Sequence, residues 1–417
     1  MQNIKLVEND RLAHKSTLDE VLRQGASDLL CLALQMEVSQ YVKTHSHLVD
    51  ETGHRMVVRN GKAESRTVAT GTGQIEVKSP RVNDRRDGEK FTSAILPPYI
   101  RRTPNVENVI PVLYLRGLST SDFQMALEAL LGKGAQGLSP ATIVALKRSW
   151  ERDLEQWRKT PISDRFVYIF ADGVNVKVRL GEDKKICLLT IVGVTETGEK
   201  KLLAMESGYR ESEDSWKALL RSLVDRGLKA PLLAAADGAL GFWKAIEGME
   251  EFKDTKSQRC WVHKIANVLD CFPKRIQPQV KSLLHDMMYA ETRKDANETK
   301  ARFDKLFKDK YPKASEKLDK DWERLNAFLS FPAKHWVHIR TTNIIESTFA
   351  TVKLRTKVTK GAGSAKTAEA MAFKLFLEAE KKWRKINAPE ELQNLLNGVE
   401  YKDGVMLNAL QNQEGVA

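Results

Sequence analysis

Asp172 and Asp237 each follow an apolar run, in the tripeptides Ala171-Asp172-Gly173 and Ala236-Asp237-Gly238, and Glu346 stands alone as an acid in a segment otherwise apolar, neutral or basic. In α/β sheets, ligands bind at the carboxyl ends of the strands, so an aspartate there is placed to do chemistry. The glycine after each allows a tight turn or the close approach of another group. One such Asp-Gly pair is ordinary turn chemistry; two on separate strands favour a site. Hard divalent cations take oxygen ligands, and two-metal phosphoryl transfer uses carboxylates to hold ions about 3.5–4 Å apart. Two strand-end aspartates and one helix glutamate suffice for that.

Glu346 needs a helix to carry it. Ile345, Phe349 and Val352 fall at helical spacing, which sets Glu346 and Lys353, seven residues on, along a neighbouring face. Glu206, Glu211, Glu213 and Asp214 compete for the third ligand position, being nearer the aspartates in sequence, but they cluster in a polar segment expected to be exposed. Lys353, Arg340 and Arg355 are candidates to grip phosphates, the alternative being solvated surface cations. Trp336 can stack on an unpaired base or fill a core. Cys260 and His263, three apart, make half of a four-ligand zinc site that His335 and His338 could complete, or else pack together. No Gly-x-x-x-x-Gly-Lys-Ser/Thr loop and no His-Glu-x-x-His helix is present, which argues against a P-loop ATPase and a zinc protease.

The elements that must position these groups alternate in character. Residues 15–47 read as a helix with an apolar stripe through Leu18, Val21, Leu22, Leu29, Leu30, Leu32, Leu34 and Val38, expected to face a core or a partner helix. Residues 53–102 alternate and are rich in Gly, Thr and Val, with eleven Lys/Arg against five Asp/Glu from 55 onward, which predicts short strands in a basic module. From 106 the helical period returns, with Ser119 a candidate N-cap, a glycine-rich turn at 132–137, and Ser139 with Pro140 opening another helix. Helix, turn, helix is the outline of a DNA reader and also of a small helical bundle.

Next come three expected strands, at 166–171, 174–180 and 186–194, a helix at 212–226, a strand from 231 ending at Asp237, and a helix from 242. Residues 264–330 read as a long helical region rich in Lys and Leu. The Glu346 helix follows, then a flexible loop at 361–364, a last helix through Trp383, and a polar, frayed tail beyond 406.

Composition narrows the partners. The 417 residues include 42% hydrophobic ones, enough to build cores, and no apolar run long enough to span a bilayer. The N-terminus lacks the basic-then-apolar pattern of a secretory signal. Four scattered cysteines do not make a disulfide framework and agree with a reducing compartment. A net charge of +12 points to a polyanionic partner, since each neutralised phosphate releases counterions.

The two Ala-Asp-Gly runs, the Cys260 and His263 pair, and Asn343 three residues before Glu346 together resemble the Mutator-type family of bacterial insertion-sequence transposases. The likeness covers nearly the whole chain, including Arg59, Asn60, Gly61 and residues 117–120. It implies an α/β ribonuclease H-like catalytic core with a large all-helical insertion, preceded by mainly helical DNA-binding modules. The expected division is 1–52 helical, 53–104 basic strands and loops, 105–160 helix-turn-helix-like, 161–263 first part of the core, 264–335 insertion, 336–400 last part of the core, and 401–417 tail.

In that resemblance Asp172, Asp237 and Glu346 form the metal-binding triad, with Asp172 ending the first core strand and Asp237 the fourth. The interval of 109 residues from Asp237 to Glu346 accommodates the insertion. Mg²⁺ or Mn²⁺, two ions, would serve strand cleavage that leaves a 3′-hydroxyl, followed by its attack on target DNA. Lys353, Arg340, Arg355, Trp336 and Asn343 would contact DNA, and Cys260 and His263 would support the site. The implied partners are double-stranded DNA, as terminal inverted repeats and target, and a second copy of the chain in a homodimer or larger assembly, within the bacterial cytoplasm. A nuclease that cuts without joining and a non-catalytic DNA-binding protein are the alternatives.

Overall fold

The computed structural model describes residues 2–115, 118, 122–131, 140–179, 185–208, 211–238, 240–358 and 361–407. They form two units, Met1–Leu146 and Lys147–Ala417. In the first, the helical period becomes one helix, α1 (Gln2–Thr44), and the alternating stretch becomes β1 (Val57–Lys62), β2 (Arg66–Thr70), β3 (Gly73–Val77) and β4 (Pro80–Asp84). β1 pairs antiparallel with β4, and β2 with β3. Leu34 joins Val68, Ile75, Val77 and Leu96 in a small core, and Val38 is buried as well. The rest of the apolar stripe departs from expectation. Leu18, Val21, Leu22, Leu29 and Leu32 are exposed, because the short hairpins beside α1 bury only one side of it.

Three helices follow, α2 (Pro104–Leu115), α3 (Asp122–Leu131) and α4 (Pro140–Trp157), the last crossing into the second unit. Pro140 opens α4, where a missing N–H costs nothing. Ser119, Ser139 and the turn at 132–137, with residues 117 and 120, lie outside the described residues, as does the tail from 408.

The second unit is built on β5 (Phe166–Lys177), β6 (Lys185–Thr195), β7 (Lys200–Gly208), α5 (Glu213–Asp225), β8 (Leu233–Ala236), α6 (Leu240–Glu247) and β9 (Lys256–Arg259). The sheet order is β7-β6-β5-β8-β9, with β5, β6 and β7 antiparallel and β8 and β9 parallel to β5. The strands expected at 166–171 and 174–180 are a single strand. β5 runs through Asp172 and Gly173 without a turn, because β6 pairs with it along its length, Asp172 opposite Thr190. Asp172 is therefore mid-strand, not at a strand end. It does lie just past the end of the parallel pairing with β8, whose last pair is Ala171 opposite Ala236.

Both faces of the sheet are covered, which is why its strands read as continuous apolar runs. On one face Trp216, Leu219, Leu220 and Leu223 of α5 pack with Phe242, Trp243 and Ile246 of α6 against Ile169, Ala171, Ala234 and Ala236. Ser212 caps α5, its side chain accepting from the Ser215 N–H. The chain then forms α7 (Trp261–Leu269), α8 (Gln277–Met288), α9 (Arg293–Phe307) and α10 (Pro312–Leu325), as the helical period over 264–330 predicts. After two 3-10 turns come α11 (Trp336–Ile339), α12 (Asn343–Val358), α13 (Ala365–Glu380), α14 (Glu390–Leu396) and a small hairpin, β10 (Tyr401–Lys402) with β11 (Val405–Met406). α12 packs on β5 and α13 on β7. The loop at 361–364 is tied down: the Ala362 N–H donates to the Lys177 carbonyl at 3.0 Å, and the Arg179 N–H to the Ala362 carbonyl at 2.8 Å. Among the described residues no helix is long and apolar enough to cross a membrane.

The helices after β9 are fastened to the sheet through α10. The Leu325 carbonyl accepts from Trp261 Nε1 at 2.8 Å and Gln258 Nε2 at 3.0 Å, and Gln258 Oε1 accepts from the Phe328 N–H at 2.8 Å. Beside them Asp321 accepts from the buried Lys264 ammonium and lies 3.6 Å from Nε of the buried Arg259. One carboxylate thus neutralises two interior cations. Removing it leaves both uncompensated, so Asp321→Ala should lower stability by about 3 kcal/mol in urea unfolding. A loss under about 1 kcal/mol would show that the network is solvated instead.

Candidate active site

Strand register brings the first two carboxylates together. Ala171 pairs with Ala236 in parallel, so Asp172 and Asp237 are the next residues along on adjacent chains, which in a sheet run about 4.8 Å apart. Gly173 and Gly238 have ordinary backbone angles, and what they supply is room. A Cβ on Gly173 would fall 2.4 Å from Glu211 Oε1, and one on Gly238 would fall 2.4 Å from Arg259 Nη2. Of the two roles a glycine can play after an aspartate, close approach is the one found at Gly173.

Glu346 reaches this edge through Cys260. The Cys260 N–H donates to the Ala236 carbonyl at 2.8 Å, which holds the start of α7 beside Asp237. The Trp261 N–H donates to the Arg340 carbonyl at 3.0 Å, drawing in the segment that leads to α12. Thr342, fully buried, then donates its N–H to Cys260 Sγ at 3.4 Å. Its hydroxyl lies 2.9 Å from Glu346 Oε1 and 3.3 Å from Cys260 Sγ. Ile345, Phe349 and Val352 are buried, as their spacing predicts, and leave Glu346 partly open in the first turn of α12.

Cys260 and His263 adjoin Glu346. Among the described residues these three are the one group of His, Cys or carboxylate ligand atoms all within 4.8 Å of one another. Asp172 and Asp237 are within electrostatic reach of that group. Burial first, then Asp237, pushes the Asp172 carboxyl up to about 7, with Glu346 adding to the rise and the Gly173 N–H and His263 opposing it. Nδ1 of His263 lies 3.6 Å from Glu346 Oε1 without hydrogen-bond geometry. The Cys260 side chain first, and the Glu346 and Asp237 carboxylates after it, hold His263 up at about 9. Burial opposes ionisation of Cys260, but its contacts with His263 and Thr342 outweigh that and hold the thiol below its usual value.

Glu211, a rival ligand that the sequence places in an exposed segment, is half-buried at this edge. Burial and then Asp237 raise its carboxyl, and Cys187 Sγ approaches its Oε1 at 3.7 Å. The helix that follows it is legible in the sequence; the approach of Glu211 to Gly173 is not. Glu206 and Asp214 are exposed, and Glu213 sits in the first turn of α5.

The residues expected to contact DNA divide. Asn343 and Lys353 are exposed on α12. Arg355 is not, at 2% exposure, so its guanidinium lies inside the fold rather than on a surface that meets DNA. Arg340 donates to the Met288 carbonyl at 3.2 Å and stacks over Tyr289 at 4.2 Å, a packing role. Trp336 donates to the Phe331 carbonyl at 2.8 Å and packs edge-on against Phe328, the core-filling alternative. His335 is held by the Tyr168 hydroxyl at 2.8 Å and the Ala388 carbonyl at 3.1 Å, and His338 accepts from the Asn387 N–H at 3.1 Å. Neither histidine joins Cys260 and His263.

A family model described as "Transposase, Mutator family" matches residues 1–386. The transposase for insertion sequence element IS6120 of Mycolicibacterium smegmatis is 46% identical over 303 residues, 72% of this chain and 93% of that protein. The transposase for insertion sequence element IST2 of Acidithiobacillus ferrooxidans is 44% identical over 286 residues, 68% of this chain and 96% of that protein. Among solved structures, the Drosophila P element transposase strand transfer complex aligns at a TM-score of 0.26 with 10% identity, over 70% of this chain and 91% of that one, too slight a likeness to carry an argument.

The shifted groups tie stability to pH. Asp172 is raised from 3.8 to about 7, so the fold favours its protonated form; that contribution is complete below 3.8 and lost as pH rises through 7. His263, raised from 6.5 to about 9, favours its charged form, and its contribution is lost as pH rises through 9. In chelator, the advantage of wild type over Asp172→Asn should therefore shrink between about pH 4 and 7 in thermal unfolding, and that over His263→Gln between about pH 6.5 and 9. An advantage that grows with pH would contradict the clustering.

Proposed function

Because the chain belongs to the Mutator family of transposases, we propose that it binds the terminal inverted repeats of an insertion sequence and catalyses metal-dependent DNA cleavage and strand transfer through Asp172, Asp237 and Glu346. The observation that carries this reading is the parallel register that sets Asp172 beside Asp237, with Cys260 tying the Glu346 helix to the same strand end. The sheet order, three antiparallel strands followed by two parallel ones, supports a ribonuclease H-like core. The helices α7 to α10, between Asp237 and Glu346, support the insertion.

The donor chemistry suits Mg²⁺ or Mn²⁺. Asp172, Asp237 and Glu346 offer hard oxygen ligands, and burial first, then the charge of Asp237, raises Asp172 to about 7, a position that a divalent cation would relieve. The competing set of Cys260, His263 and Glu346 is softer, but its sulfur already accepts from Thr342, and His335 and His338 are held elsewhere. A bound divalent ion would supply polarisation of the scissile phosphate and activation of the attacking hydroxyl.

The chain's own residues prepare that chemistry. Thr342 orients the Glu346 carboxylate by its hydroxyl, and the charged His263 ring beside it offsets the surrounding acids. Lys353, two turns beyond Glu346 and exposed, is placed to hold a phosphate near the cut, with Asn343 at the head of the same helix. Residues 53–160, basic strands and three helices, would read the terminal repeats. The protein would work in the bacterial cytoplasm, on double-stranded DNA, and as a dimer or larger assembly that joins two element ends.

Asp172→Asn should abolish Mg²⁺-dependent cleavage and joining of terminal-repeat oligonucleotides while changing their binding less than about threefold. Undiminished joining by that variant would sink the assignment. Thr342→Val should slow cleavage about tenfold with binding retained, and Thr342→Ser should restore it; equal rates in all three would remove Thr342 from the site.

A further inference from the structure

Helix α1 has two apolar faces, and its own unit covers one of them. Ser27, Leu34 and Tyr41, seven residues apart, lie along the covered line. Ser27 donates to the Glu76 carbonyl at 3.0 Å, Leu34 enters the core with Val68, Ile75 and Val77, and the Tyr41 hydroxyl donates to Asp84 at 2.8 Å. The other face repeats as regularly. Leu18, Leu22, Gly25, Leu29, Leu32 and Met36 alternate steps of four and three, the spacing of a coiled-coil seam, over about 27 Å of helix. A Cβ on Gly25 would meet nothing within 4 Å, so the middle of this seam is open to a neighbouring helix. At 43 residues α1 also runs well beyond the ~20 at which helices within a domain usually stop, as coiled-coil helices do.

The surface left bare is large. With Val21 beside them, the five large residues of the seam are between 49% and 69% exposed. Together they present on the order of 600 Å² of apolar surface, close to the roughly 800 Å² that each partner brings to a stable interface. Neither the seam nor the positions flanking it carry Lys or Arg, in a chain of net charge +12, so the face is ill suited to a phosphate backbone. It fits a copy of itself, because each protruding side chain of such a seam meets a hole of the same spacing. Charge then selects the direction. In a parallel pair Asp28, at a flanking position, faces Ala33 of the second copy; in the antiparallel pair that superposes the seam it faces its own counterpart, a like-charge contact.

We propose that the outer face of α1 is where a second copy of this chain docks, the two helices running parallel and packed from Leu18 to Met36. The inference goes beyond the transposase reading, since it stands on α1 alone, and it gives the assembly proposed there a surface.

The test uses the full chain without DNA or divalent metal, its mass followed by light scattering on a sizing column at micromolar concentration. Wild type should elute with twice the mass of one chain. Leu29, at 69% exposure, can be changed without loss of packing inside its own unit. Leu29→Lys and Leu29→Glu should each raise the dissociation constant of the dimer about a hundredfold. An equimolar mixture of the two variants should recover the dimer, because residue 29 meets its own counterpart only in the parallel pair, where the opposite charges compensate. That recovery also shows that each variant is folded. A monomeric wild type, which would leave the face to another occupant, overturns the proposal, as does a dimer indifferent to both charges or a mixture that stays monomeric. Asp172→Asn should keep the mass of wild type while losing cleavage, so the two readings fail separately.

Discussion

The hydrogen bond from the Cys260 N–H to the Ala236 carbonyl is the joint on which the site's geometry turns. It continues the β8–β9 pairing by one residue and ends it at the residue before Asp237. The cysteine then acts twice more: as the N-cap of α7, which carries His263, and as the sulfur that receives Thr342. Between Cys260 and Thr342 the chain leaves the sheet, builds the helices α7 to α11 and returns. Closing so long a loop costs little more than closing a short one, because the entropic cost grows only logarithmically with length. What the return needs is a specific attachment, and a buried sulfur that accepts the Thr342 N–H provides one.

That attachment is made against electrostatic resistance. Asp172, Asp237, Glu211 and Glu346 gather at one edge, and burial first, then the nearby Asp237, disfavours the ionised forms of Asp172 and Glu211. The rise of Asp172 and Glu211 records this cost. His263 is the chain's own partial answer, a ring held charged among the acids. The fold around the edge is correspondingly firm: a sheet covered on both faces, a buried Asp321 network holding the intervening helices, and a glycine after each aspartate where any side chain would collide with Glu211 or Arg259. Strained electrostatics of this kind persist where the surroundings over-determine the geometry, and they are common at functional sites.

The basic face of the protein is less uniform than its composition suggests. Arg355 is interior and Arg340 is spent on Tyr289 and a carbonyl, while Asn343 and Lys353 remain open on α12. An arginine at helical spacing from a candidate catalytic acid does not reveal whether it points outward. Its burial depends on which neighbouring helix covers that face, and no local pattern encodes this. The same holds for α1, whose apolar stripe has the period of a core helix and yet leaves five of its residues in solvent.

By itself the sequence determined the candidate acids, the helical region that lies between Asp237 and Glu346, and the helix that carries Glu346 with Ile345, Phe349 and Val352 inward, because periodicity and Asp-Gly punctuation are local signals. It also showed that two aspartates follow apolar runs, though it could not tell that β5 continues through Asp172. Only the tertiary structure decided that Asp172 and Asp237 are neighbours, that Glu211 joins them, that Cys260 and His263 adjoin Glu346, and that Trp336 packs against Phe328. The reason is physical: strand register, burial and the choice of hydrogen-bond partner arise from contacts between residues distant in the chain, and these form only when the sheet and its covering helices close together.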